Sequence, residues 1–463
     1  MNKTKRIILI TVAAAVAVIG IVLAIVLPLT LNKDAYYKVT FESNGGTSVE
    51  TLTNVPHGSL ITEPTAPTKL GYAFGGWFKD ARLSHEWKFA TDRVTSDIIL
   101  YAKWNYNATD DLNMVLNGNE YTVLGRGGAK EEELIIPETY NGKPVTAIAN
   151  GAFKNDQTVK IVFVPSSVKT ILDEAFFACG NLERVVLPEG IAVIENRTFY
   201  GCANLEEINI PSAVTEIKYQ AFSGCQSLKE VNLPASLRKL GENAFSNCIG
   251  IEKLSVSPSN TYFYSRYDGK DCNCIVEVTS QDGQTVNKLV VGCKTTEIPS
   301  NVSVIGQGAF YGCRTLTRIN IRSSVKKIEE GAFNGCGLTY VNIPASVTEI
   351  GERAFANCEY LSTASFGVNE NGEHGIEKLG RAAFSYCFLL EQFNLWSSLT
   401  FVGRGLFCGC DLNTVYYEGD VNYFISEVLE PRIEEGENSN VIYDGEVEVS
   451  GNNGSSLSIR GLA

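Results

Sequence analysis

The chain has 463 residues, of which 44% are hydrophobic and 20% charged, a composition typical of folded proteins that excludes a largely disordered chain. Residues 1–33 contain four basic side chains and no acidic one, and in the remainder 35 basic residues face 52 acidic ones, a net charge of −17. Because such a surface repels the phosphates of nucleic acids and anionic lipid headgroups, we expect no nucleic-acid partner.

The first predicted element is a membrane anchor at residues 7–31. This segment contains no charged residue, and its 25 residues would form a helix about 37 Å long, enough to cross a hydrocarbon core of about 30 Å. The basic residues of segment 1–6 favour a cytoplasmic location for this stub, which places the rest of the chain outside the cell membrane. A cleaved signal peptide is the alternative, but the segment lacks the shorter apolar core and the small-residue cleavage site of signal peptides. The sequence therefore predicts a single-pass membrane protein whose C-terminal bulk is extracellular.

A small domain rich in Gly, Pro, Thr and aromatic residues follows at residues 37–104. Its two ends alternate apolar and polar residues as strands do, and Asn44-Gly45-Gly46 predicts a tight turn between them. The segments VTFESNGG, GYAFGGWF and LYAKW resemble the internalin-B-type B repeat of bacterial surface proteins. This resemblance implies a β-grasp-like module, in which Trp77 and the other aromatic residues form the core.

The rest of the chain is dominated by one repeat. Around each of ten phenylalanines the frame IPxxVxxIgxxAFxxCxxLxxV recurs, and its Leu-x-x-Leu-x-Leu segment predicts one short strand per coil. One coil cannot bury its apolar edge alone, so we expect about ten coils to stack into a solenoid with a continuous core. The repeat phenylalanines, most of them 23 residues apart, are Phe153, Phe176, Phe199, Phe222, Phe245, Phe310, Phe333, Phe355, Phe384 and Phe407.

Within one coil, Pro211 to Pro234, the apolar positions predict which side chains face the core. They are Val214, Ile217, Ala221, Phe222, Cys225, Leu228, Val231 and Leu233. Because the Phe and Cys of the Ala-Phe-x-x-Cys segment are three residues apart, this segment predicts a single helical turn with both side chains on its inner face. The expected fold is thus a β-rich solenoid with short helical turns.

The frame resembles the BspA-type leucine-rich repeats, and the resemblance covers residues 134–417. It implies that residues 105–133 form a linker and an N-terminal cap, with a hairpin that begins near Asn117. It also implies an inserted hairpin at about 257–299, here called the island. The frame is lost in residues 418–463, an acidic and Gly/Ser-rich tail that we expect to be flexible.

Nine of the thirteen cysteines follow a repeat phenylalanine by three residues, and we call them the ladder cysteines: Cys179, Cys202, Cys225, Cys248, Cys313, Cys336, Cys358, Cys387 and Cys410. The spacing predicts buried free thiols, because parallel side chains of neighbouring coils do not present disulfide geometry. Cys272 and Cys274 with Cys293 would supply three metal ligands but no fourth, so we expect no metal there. The sequence leaves open whether Cys293 forms a disulfide bond within the island.

The sequence offers little for catalysis. The three histidines, His57, His85 and His374, are far apart, and no Gly-x-Ser-x-Gly or Cys/His pairing supplies a nucleophile. Paired acidic residues such as Asp110-Asp111 lie in predicted linkers. We therefore expect neither an enzyme nor a cofactor.

The strands offer the largest surface for a partner, since the residues that flank the central apolar position of each strand face solvent. The candidate contacts are Ile161, Phe163, Arg184, Val186, Glu207, Asn209, Glu230, Asn232, Arg318, Asn320, Tyr340, Asn342, Gln392 and Asn394. The first of them are apolar and a column of asparagines follows, a pattern that favours a contact surface. Two alternatives stay open: the cap covers the apolar residues, and the asparagines form a solvated edge suited to a flat sheet.

The resemblance to BspA-type proteins implies adhesion, since such bacterial surface proteins attach to host matrix proteins or to other cells. The predicted function is therefore binding of an extracellular protein or glycan ligand by a membrane-anchored solenoid. The alternatives are an accessory to extracellular glycan processing and an architectural spacer of the cell envelope.

Overall fold

The computed structural model describes residues 35–69, 71–106, 108–412, 414–418, 447–451 and 456–459. The predicted cytoplasmic stub (1–6), the anchor (7–31) and most of the tail (418–463) lie outside the described residues. Among the residues that are described, no helix has the length and apolar character needed to span a membrane.

The chain divides into two compact units, with the boundary between Ala108 and Thr109. The first unit contains a mixed sheet in the order β2-β1-β4-β3, in which the central strands β1 and β4 are parallel and the outer pairs are antiparallel. Trp77 and Trp87 are buried in its core and Trp104 packs against them. The four strands are β1 (Tyr36–Glu42), β2 (Leu52–Pro56), β3 (Tyr72–Phe78) and β4 (Ile98–Tyr106).

The second unit is a β-solenoid of stacked coils. Its N-terminal end consists of the hairpin β5 (Asn113–Asn117) and β6 (Glu120–Gly125), followed by β7 (Glu133–Ile135), β8 (Thr139–Tyr140) and β9 (Lys143–Ile148). Most coils then contribute two strands, each parallel to the equivalent strand of the next coil. The Leu-x-x-Leu-x-Leu segments form β10 (Ile161–Phe163), β12 (Arg184–Val186), β14 (Glu207–Ile208), β16 (Glu230–Leu233), β18 (Lys253–Val256), β24 (Tyr340–Ile343), β26 (Thr363–Phe366), β28 (Gln392–Trp396) and β30 (Thr414–Glu418).

The second strand of each coil is a pair of residues that precedes the repeat phenylalanine. These pairs are β11 (Thr170–Ile171), β13 (Val193–Ile194), β15 (Glu216–Ile217), β17 (Lys239–Leu240), β22 (Val304–Ile305), β23 (Lys327–Ile328), β25 (Glu349–Ile350), β27 (Lys378–Leu379) and β29 (Phe401–Val402). At the C-terminal end, β31 (Val447–Gly451) pairs in parallel with β30 and antiparallel with β32 (Ser456–Ile459).

The repeat phenylalanines form the centre of the solenoid core. All eight inward positions predicted for the coil of Phe222 are at most 2% exposed, which confirms the assignment of its inner side. Within each half of the array the rings stack nearly parallel, with centroids 4.9–5.5 Å apart, up to Phe384. This spacing follows from the coil-to-coil strand pairing, which separates neighbouring backbones by about 4.8 Å.

The predicted helical turn is wrong. The described residues contain no helix, and each Ala-Phe-x-x-Cys segment consists of hydrogen-bonded turns, which we call the turn edge. In all ten coils the residues two before and two after the repeat phenylalanine have positive φ, 50–62° and 55–80° respectively, which a right-handed helix does not tolerate. Alternate N–H groups donate to the next coil instead, as Phe176 N does to Thr198 O at 2.9 Å.

The positive φ angles of the turn edge lead us to expect that one alanine-to-glycine substitution stabilises the protein. Ala178 has φ of 55°, a conformation that costs a residue with a Cβ atom roughly 1–2 kcal/mol. We expect Ala178→Gly to raise the free energy of unfolding by up to about 1 kcal/mol, after the loss of chain entropy typical of glycine is subtracted. The matched control is Ala203→Gly, since Ala203 is also half-buried but has no positive φ, and this change should lower stability. Urea denaturation of both variants measures the two effects, and a loss of stability for Ala178→Gly would contradict the turn geometry.

The island lies between the two halves of the solenoid core. Its strands β19 (Phe263–Tyr267), β20 (Lys270–Gln281) and β21 (Gln284–Gly292) form an antiparallel sheet. β21 also pairs in parallel with β22, the first short strand of the C-terminal half. Alternate residues of β20 face opposite sides, so that Ile275 belongs to the N-terminal half of the core and Val276 to the C-terminal half. The island therefore joins two packed cores.

Candidate binding surface

The strand face is the solvent side of β10, β12, β14, β16, β18, β24, β26, β28 and β30, together with residues 318–320 of the coil that lacks this strand. Strand pairing arranges its side chains in two columns. Ile161, Arg184 and Glu207 are neighbours in the first column, and Phe163 lies beside Val186 in the second. The alternation predicted from the sequence therefore brings equivalent residues of successive coils together.

The N-terminal half of the strand face combines apolar and charged groups. Ile161, Phe163 and Val186 are half-buried, so the cap leaves part of each exposed. Arg184 Nε lies 3.6 Å from Glu207 Oε2. In the next coils Lys253 Nζ lies 3.4 Å from Glu230 Oε2. Such exposed pairs contribute only about 0–1 kcal/mol each, so these charges can change partners at little cost.

Six of the candidate contacts line one depression of about 580 Å³, namely Arg184, Val186, Glu207, Asn209, Glu230 and Asn232. The strand alternation explains why these residues share one surface. Residues of β12, β14 and β16 line it, and Lys229 lines it too. The depression offers both signs of charge, amide groups and the apolar residues Val185, Val186 and Ile208.

The asparagine column is partly structural. The amide of Asn209 accepts from Leu187 N at 2.9 Å and donates to Leu187 O at 2.9 Å, so it replaces strand hydrogen bonds where β14 ends. Asn232 accepts a hydrogen bond from Ser255 Oγ, and Asn342 accepts one from Ser365 Oγ at 3.1 Å. These short amides therefore connect neighbouring coils, in addition to facing solvent.

The C-terminal half of the strand face has a second depression, of about 570 Å³, which contains the candidates Gln392 and Asn394. Tyr340 is 45% exposed, and Asn342 beside it is exposed as well. Arg318 and Asn320 are exposed and line neither of the two depressions. Eight of the fourteen candidates thus line one of the two depressions, six in the N-terminal half and two in the C-terminal half.

Two residues of the second depression, His374 and Trp396, were not among the candidates predicted from the sequence. The His374 ring lies 4.3 Å from the Trp396 ring, and His374 Nδ1 is 3.2 Å from Gly367 O. Both side chains line the depression. The repeat spacing does indicate an additional loop here, because Phe355 and Phe384 are 29 residues apart instead of 23. The additional residues form the loop that carries His374.

The three histidines are divided between the two units of the chain. His57 and His85 belong to the first unit and His374 to the second. In the described part of the chain, no three His, Cys, Asp or Glu side chains are grouped so that they could hold a metal ion. The strand face instead provides hydrogen-bonding, apolar and charged groups suited to a ligand surface.

All thirteen cysteines lie in the described part of the chain and are free, the three of the island included. Eight of the nine ladder cysteines donate their S–H to the carbonyl oxygen of the repeat phenylalanine in the preceding coil, at 3.0–3.3 Å. Burial raises the pKa of the Cys358 thiol to about 12 and holds the pKa of Cys274 well above its ordinary value. The thiols of Cys358 and Cys274 are therefore protonated packing groups.

Thiol labelling tests this interpretation. We expect iodoacetamide at neutral pH to label at most the half-exposed Cys408 and Cys410 in the native protein, because only thiolates react and the other thiols are buried. After denaturation all thirteen should react. Mass spectra that show paired cysteines before reduction would contradict the hydrogen-bonded thiol ladder.

Stacked coils that repeat a Leu-x-x-Leu-x-Leu segment, most of them as a strand, define a leucine-rich-repeat solenoid. The model of the BspA-type leucine-rich repeat region matches residues 146–272, 290–413 and 368–430, and the chain belongs to this family. Residues 37–103 match the Listeria–Bacteroides repeat domain. Both resemblances seen in the sequence are thereby confirmed.

Curated relatives match through a short segment only. A membrane protein of Evansella cellulosilytica is 45% identical over 85 residues, 18% of this chain and 12% of its own length. Internalin H of Listeria monocytogenes is 39% identical over 90 residues, 19% of this chain and 16% of its own length. The chain thus spans less than a fifth of the length of these relatives.

Two similar solved structures each cover about 70% of the chain at low identity. A leucine-rich cell surface protein of Faecalibacterium prausnitzii has 21% identity and a TM-score of 0.43, covering 71% of this chain and 98% of its own. The pneumococcal vaccine antigen PcpA has 18% identity and a TM-score of 0.46, covering 68% of this chain and 82% of its own.

Proposed function

We propose that this protein is a cell-surface adhesin that holds an extracellular protein on the N-terminal half of its strand face. Residues 7–31 would anchor it in the cell membrane, with the repeats outside. The proposed partner class is a host matrix protein. Membership of the BspA-type family supports binding by the repeats, and the descriptions of the relatives as a membrane protein and an internalin support a surface location.

The observation that carries this proposal is the depression at Arg184, Val186, Glu207, Asn209, Glu230 and Asn232. It lies beside half-buried Ile161 and Phe163, so an apolar patch adjoins charged groups of both signs. Protein–protein interfaces have this composition, with an apolar centre and a polar rim. The weak ion pairs of Arg184 and Glu230 can exchange for partner charges without a large penalty.

Solid-phase binding of the purified full chain to immobilised fibronectin, fibrinogen, laminin and collagen tests the proposal. We expect at least one of these proteins to retain the chain. Arg184→Ala and Glu230→Ala should each weaken that binding by about tenfold or more, because each removes a charged group that lines the depression. The control Lys239→Ala changes an exposed residue of β17, away from the strand face, and should bind as the wild type does. Retention by none of the four proteins, or equal binding by all variants, would refute the proposal.

A further inference from the structure

The turn edge contains a depression that originates in the length of one coil. Phe333 and Phe355 are 22 residues apart rather than 23, because Cys336 and Leu338 are separated by Gly337 alone. The two neighbouring coils have two residues at this place, Arg314-Thr315 and Glu359-Tyr360. The missing residue leaves a depression of about 480 Å³, which we call the notch. This volume falls within the range of about 300–1,000 Å³ typical of small-molecule sites.

Gly337 fixes the floor of the notch. A Cβ atom at this position would overlap the carbonyl oxygen of Arg314, so only glycine lets the short coil lie this close to the preceding one. The floor also includes Asn334 and Asn357, whose amides are joined by a hydrogen bond of 3.0 Å from Asn357 Nδ2 to Asn334 Oδ1. The result is a rigid, polar base.

The walls of the notch carry aromatic and charged side chains. Tyr311 is 44% exposed on one side and Tyr360 is 59% exposed on the other. Arg314 and Glu359, both exposed, also line it and face the same space. In the described part of the chain neither of these two charged residues has an ion-pair partner, so both are available to a ligand.

The backbone N–H groups of the glycines at the notch already have partners in neighbouring coils. Gly312 N donates to Asn334 O at 2.7 Å and Gly335 N donates to Ala356 O at 2.8 Å, as part of the coil-to-coil bonding. A peptide could not add as a strand here, because strand addition needs free backbone N–H and C=O groups.

We propose that the notch binds a neutral oligosaccharide. The faces of Tyr311 and Tyr360 suit the apolar C–H surface of a sugar ring, while amide, guanidinium and carboxylate groups suit its hydroxyl groups, which both donate and accept. One Arg and one Glu give the notch no net charge, and the protein as a whole is acidic at −13, which disfavours anionic sugars. This site lies on the turn edge and does not depend on the proposed protein partner of the strand face.

The test uses the purified full chain on an array of neutral oligomers of glucose, galactose, mannose and N-acetylglucosamine, with sulfated and sialylated oligosaccharides printed beside them. We expect retention by at least one neutral oligomer and loss of about tenfold or more in affinity for Tyr360→Ala and Arg314→Ala. Insertion of one serine between Gly337 and Leu338 restores the 23-residue period, fills the notch and should abolish retention. The melting temperature of each variant checks that it is folded.

Matched controls separate this site from the strand face. Tyr219→Ala removes a tyrosine that is 40% exposed in another coil and should leave saccharide binding unchanged. Arg184→Ala should also leave it unchanged, and Tyr360→Ala should not affect retention on matrix proteins. Three outcomes would overturn the proposal. They are binding to anionic oligosaccharides alone, binding to no oligosaccharide, and binding by Tyr360→Ala and the serine insertion as strong as that of the wild type.

Discussion

Replacing Phe222 by alanine should lower the free energy of unfolding of the solenoid by about 3–5 kcal/mol, through lost burial and the cavity left behind. The Phe222 ring is fully buried between Phe199, at 5.4 Å, and Phe245, at 5.1 Å. Because coils contact only their neighbours, the loss should concentrate around residues 195–250. Chemical denaturation measures the energy, and hydrogen exchange should show faster exchange in these coils but not in the unit that contains residues 37–104.

The matched control is Asn232→Ala in the same coil. Asn232 is exposed on the strand face and accepts only the hydrogen bond of Ser255, so this change should alter stability by no more than about 0.5 kcal/mol. A severe loss for Asn232→Ala together with a harmless Phe222→Ala would reverse the inner and outer sides of the coil.

The second large effect is expected at the junction between the island and the C-terminal half. Gly292 donates its N–H to Ala309 O at 2.8 Å, and a Cβ atom at Gly292 would overlap the Phe310 ring. The Phe310 ring is 1% exposed and stacks on Phe333, so it cannot move aside without disturbing the next coil. We expect Gly292→Ala to cost about 1–3 kcal/mol or more, as overpacked cores do.

Calorimetry of Gly292→Ala distinguishes a local from a global effect. Because the island joins two separate cores, a strained junction should divide the melting of the solenoid into two transitions, the C-terminal half first. Gly190→Ala is the control, since a Cβ atom there would meet only the flexible end of Lys169. An unchanged single transition for Gly292→Ala would show that Phe310 does not pack against the island as described.

The repeat period was sufficient to predict the solenoid fold and the residues that face its core. A frame of 23 residues places Phe222, Leu228 and Val231 on the same side of every coil, whatever the local backbone does. The helical turn was wrong because a spacing of three residues also fits consecutive β-turns. Gly or Asn stands two residues after the repeat phenylalanine in eight of ten coils, as at Gly224 and Asn247, and this preference for positive φ was the signal against a helix.

The surface was less predictable than the core. Strand alternation placed Arg184 and Glu207 on the solvent side, but it could not show that Asn209 bonds to the backbone of Leu187. The depressions with specific walls arise where the period changes, at the 29-residue spacing before Phe384 and at the 22-residue spacing after Phe333. Such changes are visible in a sequence, but the shapes they produce depend on how neighbouring coils close around them.

Hydroxyl-radical footprinting of the full chain, alone and bound to the matrix protein that retains it, locates the partner on the molecule. If the strand face holds the partner, oxidation of Ile161, Phe163 and Val186 should fall on binding, because these side chains are half-exposed in the free protein. Oxidation of Tyr311 and Tyr360 on the turn edge should stay unchanged. Protection of the turn edge or of residues 37–104, with the strand face as reactive as before, would contradict the proposed binding surface.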